Sequence, residues 1–322
     1  MYKTMLMVAL VSCTTPVEAL VAQPVTLADR VTSCNADPRV SLGLVTVDVC
    51  VGADLFFREP FGGNGRTCAT CHPALHNFTI DPGFIATLPA SDPLFVAENV
   101  PALAGLERPA LMRQFGLILE NLDGLDDPTN KFVMRSVPHT FALSTSVTAE
   151  LVPSDGTTRP PNERTGWGGD GAPGAGELRD FQTGAITQHY TKSLARVSGT
   201  DFVLATPAEL DAIVAFMRTI GRPSDLVLTS VSLTDAGAEL GRTTFLDPLK
   251  RCNGCHNNAS AHNAGGINRN FNTGVETARV PLLDTLGIPH DGGFGSVPSV
   301  FGLGTGSFNT PPLIEAADTG PW

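Results

Sequence analysis

Five residues, Cys68-Ala69-Thr70-Cys71-His72, constrain this chain more than any other stretch, because their spacing returns at Cys252-Asn253-Gly254-Cys255-His256. Two thiols three positions apart lie on one helical turn, with a histidine held directly after the second. C-x-x-C-H is the attachment pattern of a covalent haem: each thiol adds to a vinyl group, and the histidine supplies the proximal nitrogen to the iron. A structural zinc site would bring its ligand pairs within a few tens of residues, whereas Cys68 and Cys252 stand 184 positions apart. A thioredoxin-like pair needs a β-α-β setting, and neither run has one.

The expectation is therefore a mainly α chain with two c-type cytochrome domains in tandem, each around one covalent haem, joined and wrapped by long Gly/Pro-rich loops. With 322 residues there is enough chain for two cores. A net charge of −11 argues against nucleic acid or an anionic membrane as partner. Residues 1–22 look like a targeting segment, with Lys3 ahead of the apolar run Met5 to Val11. Leu10-Val11-Ser12-Cys13 reads as a lipoprotein box that would make Cys13 a lipid anchor; cleavage after Ala19 or Ala22 is the other route. Either places the mature chain in the periplasm. Four of the seven cysteines are assigned to haem and Cys13 to targeting, which leaves Cys34 and Cys50. These can pair in an oxidising compartment or stay as buried thiols.

Domain boundaries are expected at 23–222 and 223–322, with Arg222-Pro-Ser-Asp as linker. Leu42 to Arg58 is apolar enough to form a short strand or extended segment running into a helix. Gly62-Gly63-Asn64-Gly65 should turn and let backbone approach the cofactor, and Pro73 should end the helical turn that carries the first motif. Ala102–Leu119 looks helical, and Asp123 to Asn130 looks like a turn. Residues 153–177, rich in Gly and Pro, form a long loop containing Trp167. Periodicity predicts a helix from Glu177 to Val197, and the Thr206-Pro207-Ala208-Glu209 capping box starts another that Gly221 stops. Gly241 to Pro248 echoes Gly52 to Pro60 ahead of the second motif, as expected of a repeated haem-binding unit. The stretches 257–276 and 286–312 read as loops around a cofactor.

At four places in order the chain resembles the bacterial di-haem cytochrome c peroxidases and the related methylamine-dehydrogenase maturation enzymes. They are Leu55-Phe56-Phe57-Arg58 leading into the first motif; Trp167 followed by Asp170-Gly171-Ala172; the second motif after a capped helix; and Thr310-Pro-Pro-Leu with Thr319-Gly-Pro-Trp322. The family would continue beyond Trp322, so the resemblance suggests a fragment, truncated in its second domain. It implies peroxide reduction to water at the first haem, with His72 as proximal ligand. Electron storage would fall to the second haem, on His256, and Trp167 would bridge the two. The implied partners are hydrogen peroxide and a small soluble electron donor, a cytochrome c or cupredoxin, and a homodimer is compatible. Where the family carries a distal glutamate, Gly184-Ala185-Ile186 leads to His189, the nearest group able to move a proton. His76 is a second candidate to cap the same haem. For the sixth ligand of the second iron the candidates are His262 and His290, with His139 structural. A calcium ion is implied on Thr319 and Pro321, with Ser136 at the family's Asn position. Two other functions remain open: a related di-haem oxidase or oxygenase, and a non-enzymatic electron carrier.

Overall fold

The computed structural model describes residues 25–120, 132–146, 163–169, 177–222, 224–276, 278, 284–288, 290–293 and 306–314. The targeting segment with Cys13, the Asp123–Asn130 turn, most of the 153–177 loop, Asp170 to Ala172, and Thr319 and Pro321 lie outside them. The fold is mainly helical. Six helices reach seven residues or more among the described residues: α1 (Leu27–Asn35), α2 (Val47–Arg58), α3 (Pro109–Phe115), α4 (Leu178–His189), α5 (Pro207–Met217) and α6 (Ala236–Leu246). Two small antiparallel sheets complete the regular structure, β1 (Leu117–Glu120) on β2 (Val133–Ser136) and β3 (Asn270–Phe271) on β4 (Phe308–Asn309). No helix among the described residues is long and apolar enough to cross a membrane.

The core of the first half is the crossing of α2 and α5. Thr46 caps α2 by accepting the Val49 N–H at 3.2 Å, and Val51, Gly52, Leu55 and Phe56 form its buried face. The capping box Thr206–Glu209 with Pro207 at the first position starts α5 as the sequence predicts, and α5 buries Leu210, Ala212, Ile213 and Met217. Gly52 is the contact point: a Cβ there would stand 1.8 Å from the Ala212 carbonyl oxygen. Helix α1 is clipped to α2 by the disulfide Cys34–Cys50 and by Arg30, buried and paired with Asp54 and Glu59. The disulfide spans 16 positions, and a loop of that size is worth about 3 kcal/mol. Reducing it should lower the urea midpoint by a corresponding amount; an unchanged midpoint would show that α1 adds nothing to this core.

Three sequence expectations need correction here. The run Leu42 to Arg58 does lead into a helix as expected, from Val47, where Thr46 caps it and the apolar side chains meet the core at helical spacing, but turns rather than a strand precede it. The helical-looking stretch Ala102–Leu119 is helix only from Pro109 to Phe115. Gly116 then turns through φ +69°, and Leu117–Glu120 pairs with Val133–Ser136 instead. Helix α4 ends at His189 rather than Val197. Its end is taken by Asn64, whose side-chain amide donates to the carbonyls of His189 and Thr191, both at 2.9 Å.

The stretch ahead of the second motif, α6, is less covered than α2. Gly241 of α6 aligns with Gly52, yet nothing lies within 4 Å of its would-be Cβ, and α6 buries none of its residues. Residues 163–169 are bonded to strands from the C-terminal part of the chain. The Asn309 N–H donates to the Trp167 carbonyl at 2.9 Å, and the Asn270 amide donates to Gly168 O at 2.6 Å. Arg135 on β2 adds a two-pronged bond to Asp291, at 2.6 and 2.8 Å.

Candidate functional site

Both C-x-x-C-H runs fold the same way. Each is one helical turn, Cys68–Cys71 and Cys252–Cys255, closed by the histidine N–H donating to the first cysteine's carbonyl at 2.9 and 3.0 Å. His72 and His256 share an unusual backbone conformation at the turn's end, φ −120°/ψ 60° and φ −113°/ψ 56°. A few residues on, each chain passes two consecutive non-glycine residues through positive φ, Asn77 and Phe78 in one, Asn258 and Ala259 in the other. That double left-handed step costs energy. Its effect is to bring a carbonyl back under the histidine. Phe78 O lies 2.7 Å from His72 Nδ1 and Ser260 O 3.3 Å from His256 Nδ1. At His72 a proton held on Nδ1 leaves the lone pair on Nε2, the form in which imidazole binds a metal; the His256 ring also has the Pro311 carbonyl beside it.

Around the first run the setting is apolar, although Cys68, Cys71 and His72 remain half-buried. The Cys68 side chain packs in the cluster of Phe56, Ile186 and Phe202, and Cys71 against Ile80, Leu94, Phe95 and Met112. Burial raises the Cys68 thiol and pushes Cys71 up to about 11, and it pushes His72 down to about 4. Both thiols are therefore protonated and His72 neutral at pH 7.

The structure brings His189 to this run. Gly63 explains how: a Cβ there would lie 2.1 Å from the Tyr190 carbonyl, so the glycine turn approaches the end of α4. The Asn64 N–H donates to that same carbonyl at 2.7 Å, and the Tyr190 hydroxyl donates to Cys68 Sγ at 3.3 Å. His189 Nε2 meets the Gln188 amide at 2.8 Å, while its Nδ1 is buried without a partner. Burial first, then the positive Arg66 and Arg196, push the ring down to about 3. A buried imidazole nitrogen with nothing to bond is where a ligand atom fits.

Sequence reasoning missed Arg66, two residues ahead of Cys68. It is fully buried, with Nη1 on Glu107 at 2.7 Å, Nη2 on Leu94 O at 2.8 Å and Nε on Pro93 O at 3.2 Å. Only the Gly-Arg-Thr lead-in hinted at it.

His76 is employed elsewhere: its Nε2 meets Asp81 at 3.0 Å and its ring stacks on Phe84. His262 has both ring nitrogens engaged, Nε2 with Asp225 at 2.8 Å and Nδ1 with Asn263 O at 2.7 Å. His290 is well exposed and bonded to Glu276 at 2.6 Å. As placed, His262 has no free nitrogen to offer the second motif. His139 lies beside Phe141, with its Nδ1 buried and unpartnered and the Pro312 carbonyl facing the ring. Trp167 donates its indole N–H to Ser136 O at 2.8 Å, where β2 and β4 approach.

Beside the second motif is a cavity of about 670 Å³ walled by Leu246, Pro248, Arg251, Cys255, Asn263 and Phe271. Among the described residues no three His, Cys, Asp or Glu side chains converge to hold a bare metal ion. The chain matches no family model, no curated protein and no solved structure.

The donor set fits haem. Each run offers two unpaired thiols with an imidazole tethered at Nδ1. His189, with its Nδ1 buried and unpartnered, sits on the segment that Asn64 ties to the first run, and an open cavity adjoins the second.

Proposed function

We propose that the chain is a di-haem c-type cytochrome that reduces hydrogen peroxide to water at the first haem, drawing electrons through the second from a small soluble donor. The observation that carries this reading is the duplicated turn: two thiols, then an imidazole whose Nδ1 is tied to a backbone carbonyl, built the same way twice. Cys68, Cys71 and His72 would hold one haem, and Cys252, Cys255 and His256 the other. When bound, each haem supplies an iron that exchanges electrons one at a time.

The chain's own residues divide the remaining work. His72 is held by the shorter carbonyl bond, 2.7 against 3.3 Å. A stronger bond at Nδ1 makes the ring the better electron donor and lowers the potential of its iron. That favours the second haem as the electron store and the first as the site of peroxide reduction. Peroxide cleavage needs a proton taken from one oxygen and returned to the other, and His189 Nδ1 is the group for both steps. Trp167 is the bridge, held at Ser136 on one side and Asn309 on the other. The Cys34–Cys50 disulfide supports an oxidising compartment such as the periplasm.

The same His189 nitrogen favours one rival. If it occupies the sixth position of the iron, the protein is a six-coordinate electron carrier. An intact mass and an electron paramagnetic resonance (EPR) spectrum of the full-length protein decide: two added haems with one high-spin iron support the peroxidase. Two low-spin irons in every redox state overturn it.

His189→Ala should keep both haems and slow peroxide turnover by about 10²-fold or more. Because the ring sits near 3 rather than 6.5, it is neutral and able to accept a proton across pH 5–8. The acid limb of kcat/KM should therefore fall well below 6.5. A limb at pH 6.5, or a variant as fast as the parent, sinks the assignment. Trp167→Phe should slow transfer between the haems in the half-reduced protein while both spectra stay unchanged.

A further inference from the structure

Behind the second motif lies a cluster that the proposed chemistry does not use. Ser260 is fully buried and its hydroxyl donates to Asp225 Oδ1; the other oxygen of Asp225 meets His262 Nε2 at 2.8 Å. His262, itself buried, has the Asn263 carbonyl at 2.7 Å on Nδ1. Both ring nitrogens thus face acceptor oxygens. The carbonyl of His262 accepts the Asn257 N–H at 2.8 Å, and Asn257 directly follows His256. Asp225 thus grips the turn beneath His256 at two points, through the Ser260 side chain and through the His262 main chain. Neighbouring bonds hold the same turn. Arg222 Nη2 donates to Asn258 O at 3.2 Å, and the Leu228 N–H donates to Asn258 Oδ1 at 3.0 Å.

Ser260 is also the residue whose carbonyl lies 3.3 Å from His256 Nδ1. At the first motif the equivalent carbonyl belongs to Phe78, and its neighbour Thr79 donates to a backbone carbonyl, Val137 O, at 2.5 Å. The ionic backing therefore belongs to the second unit.

We infer that Asp225 and His262 form a positioning pair for the proximal His256, acting through Ser260 to set the orientation and basicity of that ligand and hence the potential of the second haem. The inference rests on the haem reading above. A carboxylate reaching from the linker onto the backbone that holds the histidine fixes how strongly Nδ1 is bonded. Partners at that distance from a metal alter its behaviour without touching it.

The test uses the full-length haem-loaded protein with Asp225→Asn and Ser260→Ala, read by low-temperature EPR and by a spectroelectrochemical titration of each haem. Both variants should raise the second haem's potential and broaden or shift its low-spin signal, leaving the first haem's signal and potential unchanged. Ser260→Ala removes one hydroxyl and no charge, so a shift there reports positioning rather than a missing negative charge. Should Asp225→Asn lose the second haem, Ser260→Ala decides alone. Two haems by mass with an unmoved second-haem signal and potential in Ser260→Ala would overturn the positioning role and leave the haem reading standing. A parent protein without covalent haem overturns both.

Discussion

Arg66→Met should destabilise the protein by about 3–5 kcal/mol, the cost of leaving a buried charge without its partner. Arg66 and Glu107 are 1% and 0% exposed. The second oxygen of Glu107 accepts the Leu119 N–H at 2.9 Å, so its carboxylate cannot swing to water without giving up its bond to β1. The guanidinium also satisfies the carbonyls of Pro93 and Leu94. Its loss strands two acceptors and a charge beside the segment that packs on Cys71. A urea titration measures the effect. Glu107→Gln combined with Arg66→Met should recover part of the loss, because the uncompensated charge has gone. A cost below about 1 kcal/mol, the value of an exposed pair, would mean that water reaches this pair in solution.

Gly52→Ala should be among the most damaging single substitutions in the chain. A methyl group there meets the Ala212 carbonyl oxygen at 1.8 Å and its carbon at 2.5 Å. Both are backbone atoms of a packed helix and cannot rotate aside, so α5 would have to move off α2. Overpacking of a core costs about 1–3 kcal/mol and more where backbone must shift; we expect a cost at or above the top of that range. Gly241→Ala is the matched control, on the aligned position of α6 with nothing within 4 Å. Alanine exceeds glycine in helix propensity by about 1 kcal/mol, so this variant should be neutral or more stable. Equal losses at the two positions would show that Gly241 is covered in solution as Gly52 is.

The contrast between those glycines shows what a sequence conveys. Gly241-to-Pro248 and Gly52-to-Pro60 read alike, and the two turns that follow are built alike. That α5 lies against Gly52 while nothing described comes within 4 Å of a Cβ on Gly241 is a fact about distant chain. The ends of α3 and α4 were illegible for a similar reason. Apolar spacing continues to Leu119 and Leu194, but a strand pairing at Val133–Ser136 and the Asn64 side chain claimed those backbone groups first. For the histidines, residue type showed what each ring could bond and left open what it would meet. His76 met Asp81, His262 met Asp225 and His290 met Glu276.

The amino-acid order by itself determined the local features: the two C-x-x-C-H turns, the capping box that opens α5, and two spare cysteines able to pair. Each depends on atoms within a few positions, where covalent geometry leaves little choice. Tertiary structure alone decided which cysteine pair packs against an apolar cluster, that the segment ending in His189 is tied to the glycine turn before the first run, and that Arg66 finds Glu107 41 positions away. It also set Asp225 behind His256. Burial and charge pairing are properties of what packs around a group, and in this chain the packing comes from segments tens to more than a hundred residues apart.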